Sequence, residues 1–167
     1  IITSPLYKGD AKIEDVFENR DPRLRQTVLH PLDKAYYEYN LKSTFSYPRV
    51  TGMTMKTGED PSTTGYHIIK TYVQSVHAGP QNSGTTPGIV FRLGEVYLNY
   101  AEAMAELGTI TQTDLDLTIN KLRSRVGMPS LGINPPMDPR YANDGISSLL
   151  VEIRRERRVE LFSEGFR

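Results

Sequence analysis

The sequence predicts a mostly α fold with long irregular loops and a few short strands. Three observations carry that expectation. Apolar residues recur at helical spacing in three runs of the second half, led by Phe91 to Leu107. Each run closes on a glycine: Gly108, Gly127 and Gly165. Residues 30–88 hold no sustained period and are punctuated by Pro31, Pro48, Pro61, Pro80 and Pro87 and by six glycines.

Taken in order, Ile13, Val16 and Phe17 are spaced i, i+3, i+4 after Asp10, which predicts a short capped helix. Asp21-Pro22 predicts a turn, because proline biases the residue before it away from helix. Arg25 to Leu29 is expected as a short strand, with further strand-like runs at Phe45–Val50 and Ile68–Val76. The polar, Gly- and Pro-rich stretch 78–88 reads as a loop entering the first long helix. In that helix Leu93, Val96, Tyr97, Tyr100, Met104 and Leu107 are expected to form the packed face, with Ala101, Ala103 and Ala105 small enough to admit a neighbour. A short turn leads to a second helix, capped by Thr111 or Thr113. Asp114 and Asp116 sit in its acidic first turn, and Leu115, Ile119, Leu122 and Val126 form its apolar face. So short a connection predicts an antiparallel hairpin. After a proline-rich loop at 128–145, a third helix is expected from about Ser147 to Glu164, with Ile146, Leu150, Ile153, Arg157 and Leu161 on one face, joined by Leu149 and Phe162.

Composition narrows the function. The 167 residues carry 20 Lys plus Arg and 20 Asp plus Glu, so the basic excess usual in a nucleic-acid binder is missing. With no cysteine there is no disulfide, thiolate metal site or cysteine nucleophile. No apolar run has the length of a membrane-spanning helix. The chain opens on Ile1 and shows no signal peptide, so it reads as a piece of a longer protein.

Catalytic signals are weak. Asp33 with Glu38, or Glu59 with Asp60, would supply the two carboxylates of a glycosidase, but any chain with 20 acids holds such pairs. His30, His67 and His77 lack metal-ligand spacing, and Ser43, Ser46 and Ser83 lack a nucleophile elbow. No glycine-rich run leads to a Lys followed by Ser or Thr, as a phosphate-binding loop requires. Glu152, Glu156, Glu160 and Glu164 stack four apart on the third helix, interleaved with Arg154, Arg155, Arg157 and Arg158. Such a ladder suits either a cation site or an ion-pair network docking the helix, and the network is the expected reading. Arg157 falls on the apolar stripe and so requires a carboxylate or carbonyl partner.

Tyr36-Tyr37-Glu38-Tyr39 places three rings within four residues of the loop-rich half. A sugar ring stacks its apolar face on an aromatic ring, and a tyrosine adds a hydroxyl for the sugar's own. Asn40, Lys42 and Arg49 stand nearby as hydrogen-bonding groups. The candidate ligand-binding set is therefore Tyr36, Tyr37, Tyr39, Asn40 and Arg49, against the alternative that these rings simply pack the loop on the helical body.

Four segments carry a family resemblance. Phe91-Arg92-Leu93-Gly94-Glu95-Val96-Tyr97-Leu98-Asn99-Tyr100-Ala101-Glu102-Ala103 resembles the central signature of the SusD/RagB family, and the runs Ile119–Pro129 and Ile153–Arg167 resemble its later ones. Asn19-Arg20-Asp21-Pro22-Arg23-Leu24 is similar to the segment upstream. The resemblance implies that 1–167 is part of a single SusD-like domain. Within it, 1–88 would be the loop-rich ligand-face segment and 89–167 a scaffold of tetratricopeptide-like helix pairs, with amino-terminal helices and the carboxy-terminal end outside this chain. It also implies a surface lipoprotein of the outer membrane, held by an amino-terminal lipid anchor, that binds an oligosaccharide or a peptide and covers a SusC-like TonB-dependent transporter. No cofactor, metal, nucleic acid or catalytic residue is implied. The expected function is oligosaccharide binding for uptake, without catalysis. The alternatives are a peptide-binding member of the family, a helical-repeat adaptor and, last, a glycan-cleaving enzyme.

Overall fold

The computed structural model describes residues 8–9, 11–30, 66, 68–70 and 88–166, and the chain divides into two compact units, Ile1–Gly88 and Ile89–Arg167. In the first unit α1 spans Ile13–Phe17 and α2 spans Arg23–Thr27. The N-cap of α1 is Lys12, without a side-chain cap bond, and Asp10 lies outside the described residues.

The strand expected at Arg25–Leu29 is a helical turn for most of its length. The Asp-Pro turn itself nucleates it: Pro22 is already in helical geometry, and the Arg23 backbone N–H donates to Asp21 Oδ1 at 2.9 Å. Proline is suited to a helix start because its missing N–H would be unsatisfied there anyway. Extended structure survives only at Val28, an isolated antiparallel bridge to Ile68, supported by the Ile69 N–H donating to Thr27 O at 2.8 Å. Of the other expected strands, Phe45–Val50 and the remainder of Ile68–Val76 beyond Lys70 lie outside the described residues. His30 is buried, edge-on to the Phe17 ring with centroids 4.8 Å apart.

The second unit is helical throughout its regular structure. Helix α3 runs Leu93–Glu106, α4 Gln112–Leu117, α5 Ile119–Arg125 and α6 Ser148–Glu160, with a 3-10 turn at Pro139–Tyr141. The termination signals act as the residue types demand. Thr109 N–H donates to Met104 O and Gly108 N–H to Ala105 O, a pattern that needs the left-handed φ of 68° found at Gly108. Gly127 repeats it at φ 72°, with Met128 N–H donating to Arg123 O.

Thr111 caps α4 through a reciprocal box: the Asp114 N–H donates to Thr111 Oγ1, and the Thr111 N–H donates to Asp114 Oδ2 at 2.8 Å. The single helix expected from 113 to 126 is broken at Thr118, where φ is −124° and ψ −90°. Its hydroxyl donates back to Asp114 O at 2.5 Å, a bond that competes with the backbone and bends helices. The apolar face survives the break, since Leu115, Ile119 and Leu122 are all buried.

The core of this unit is built from Leu98, Ala101, Leu115, Ile119, Leu122, Leu131, Leu149, Ile153 and Leu161. Leu98, Leu115, Ile119 and Ile153 are fully enclosed, each contributing roughly 1.5–3 kcal/mol by leaving water.

Helix α3 presents a different face from the one its pattern suggested. Leu93, Val96, Tyr100 and Leu107 are 60%, 56%, 45% and 74% exposed, and Tyr97 and Met104 are only half-buried. The buried side is Gly94, Leu98 and Ala101, continued by half-buried Ala105, a stripe at i, i+4, i+7 and i+11. Three of those four residues are Gly or Ala, and α6 is the helix that packs most extensively on α3. Helix α6 buries Leu149, Leu150, Val151 and Ile153, and Leu161 follows it, whereas Phe162 stays 42% exposed.

Candidate functional site

The charges of α6 decide how the helices are aligned. Every member of its glutamate ladder meets an arginine. Glu152 accepts from Arg155, Glu156 accepts from Arg123 Nη1 at 3.2 Å, and Glu164 accepts from Arg92 Nε at 2.6 Å. Glu160, only 3% exposed, accepts from Arg92 Nη1 at 2.7 Å and from Arg125 Nη2 at 2.9 Å. In the other direction, Arg154 donates to Glu102 at 3.2 Å and Glu106 at 2.5 Å, and Arg157 donates to Asn99 Oδ1 at 2.6 Å with Glu102 3.7 Å away.

These pairs give directions. Moving up α6 from Arg154 to Glu160, the partners move down α3 from Glu106 to Arg92, so those two helices are antiparallel. Over the same interval the partners on α5 move up from Arg123 to Arg125, so α5 and α6 are parallel. The hairpin of α3 with α4 and α5 follows, and the Tyr100 hydroxyl donating to Asp114 Oδ1 at 2.9 Å ties its two arms. The ladder is thus an ion-pair network docking α6, as its interleaved arginines suggested. Arg157 has the polar partner its position required.

Arg92 is the most constrained member. Its third contact is Nη2 donating to the Glu160 carbonyl at 2.7 Å, at the end of α6 where unsatisfied carbonyls carry partial negative charge. Burial works against this cation, but the hydrogen bonds to the Glu164 and Glu160 carboxylates outweigh it and raise its pKa. The guanidinium lies over Gly94, where a β-carbon would stand 2.6 Å from Nη1. Arg92 and Gly94 at the start of α3 therefore work together.

The long loop between α5 and α6 is fastened to the helices by side chains. Asn120, buried in α5, accepts from the Leu131 N–H at 2.6 Å and donates to the Leu131 carbonyl at 3.1 Å, imitating a strand neighbour. Gln112, at the start of α4, adds a second clasp, donating to Leu131 O at 3.2 Å and accepting from the Ile133 N–H at 2.9 Å. Arg123 Nε donates to Pro129 O at 2.6 Å. Further along, Asp138 accepts from both Arg140 and Arg155, and the Arg140 side chain and backbone hold its carboxyl well below the usual carboxylate range. None of these contacts is visible in a hydropathy pattern, because amides and arginines in a helix read as solvent-facing.

The predicted ligand-binding residues Tyr36, Tyr37, Tyr39, Asn40 and Arg49 all lie outside the described residues, as do Lys42 and the carboxylate pairs Asp33 with Glu38 and Glu59 with Asp60. Among the described residues no group of three or more His, Cys, Asp or Glu is placed to hold a metal ion, and no helix is long and apolar enough to cross a membrane.

A family model described as the SusD family matches residues 3–167, nearly the whole chain. The chain belongs to the SusD family. No curated protein and no solved structure matches it. Membership agrees with the mostly helical architecture, in which α3 and α6 form one ion-paired, antiparallel contact. SusD-family proteins are in general nutrient-binding proteins of the outer membrane, a binding family that is generally non-catalytic, and they generally work with SusC-like transporters.

Proposed function

We propose that this chain belongs to a cell-surface lipoprotein that binds an oligosaccharide and delivers it to a SusC-like TonB-dependent transporter, with no chemical step of its own. The observation that carries the reading is the SusD-family match over residues 3–167. The glycan preference rests on the sequence: six of the ten tyrosines fall in residues 36–72, three of them at Tyr36, Tyr37 and Tyr39 beside Asn40 and Arg49. Stacking on tyrosine with hydrogen bonds from neighbouring polar groups suits a neutral sugar, whose ring offers an apolar face and a rim of hydroxyls. A helical body fastened by ion pairs, with irregular segments between its elements, supports the same reading, since binding residues concentrate on loops held by a rigid scaffold.

The test is affinity electrophoresis of the protein through gels containing a panel of polysaccharides, with reducing-sugar release assayed on the same samples. Retardation by one glycan, weakened in the Tyr36→Ala/Tyr37→Ala/Tyr39→Ala variant and without sugar release, is the expected result. Retardation unchanged in the variant would keep the function and remove the site. No retardation by any glycan would move the ligand to the peptide class, and sugar release would overturn the non-catalytic reading.

A further inference from the structure

We draw no further inference here: the strongest candidate, the exposed apolar stripe of α3 formed by Leu93, Val96 and Leu107, is a helix face without a partner among the described residues, and nothing in the structure shows what covers it.

Discussion

Arg92 donates to Glu160 twice, from Nη1 to the carboxylate and from Nη2 to the backbone carbonyl, both at 2.7 Å. One side chain thereby fixes the start of α3 against the end of α6, two points 68 residues apart in sequence. Removing the carboxylate leaves the half-buried Arg92 guanidinium with one of its two carboxylate partners. Breaking one side of a buried pair costs about 3–5 kcal/mol. Arg92 keeps Glu164, and Arg125 is half-exposed, so Glu160→Ala is expected toward the lower end of that range in urea unfolding. A double-mutant cycle with Arg92→Ala should return a coupling above about 1 kcal/mol. A cycle that closes to zero would show that the pair contributes nothing of its own.

The sign of a second substitution depends on Arg92. Alanine normally stabilises a helix interior by about 0.5–1 kcal/mol relative to glycine. At Gly94 the new β-carbon would meet Arg92 Nη1 at 2.6 Å and push the guanidinium off its carboxylates. Gly94→Ala is expected to destabilise the protein, and to stabilise it once Arg92→Ala is already present. The same sign in both backgrounds, read from unfolding midpoints, would rule out this account of the glycine.

The two sides of α3 should respond differently to substitution. Leu98 has no exposed surface, so Leu98→Ala is expected to cost about 2–5 kcal/mol through lost burial and the cavity left behind. Val96 is 56% exposed, and Val96→Ser should stay within roughly 1 kcal/mol of the parent. A Val96→Ser cost matching that of Leu98→Ala in denaturant unfolding would show that the outward face is covered in solution.

Asn120→Ala removes the acceptor for the Leu131 N–H and a donor for its carbonyl, both buried. The carbonyl keeps Gln112 as a donor, so the N–H is the group left unsatisfied, at a cost of about 1–3 kcal/mol. Amide hydrogen exchange at Leu131 is expected to quicken more than exchange in α3 or α6. Uniform acceleration across all helices would mean that Asn120 supports the whole unit and does not act on this loop in particular.

Acid should weaken the second unit through three aspartates. Asp114 is held low by hydrogen bonds from the Thr111 side chain and backbone and from Tyr100, Asp116 by Asn120 and Gln112, and Asp138 by Arg140. A carboxyl whose folded pKa lies below its unfolded value of about 4 contributes stability at neutral pH and loses it as pH falls through the folded pKa. Unfolding midpoints are therefore expected to hold from pH 7 down to about 5 and to fall below about 4. The combined Asp114→Asn/Asp116→Asn/Asp138→Asn variant should be less stable at pH 7 but show a shallower fall. An unchanged slope in that variant would assign the acid sensitivity to other groups.

Spacing and residue type alone specified three helical regions between residues 93 and 160, the glycine stops at 108 and 127 and the SusD resemblance, and narrowed the cap of the second region to Thr111 or Thr113. They also limited the glutamate ladder to two readings. The tertiary structure decided what local pattern leaves open. Helix α3 is apolar over a wide arc, and periodicity alone favoured its large residues, whereas the side that is buried is Gly94, Leu98 and Ala101. The kink at Thr118 arose from one hydroxyl bonding back to Asp114, and the fastening of the loop at Leu131 from two amides whose partners lie 11 and 19 residues away. The pairing of Arg92 with Glu160 needs both helices in place, since distances between elements are set only when the core closes around them.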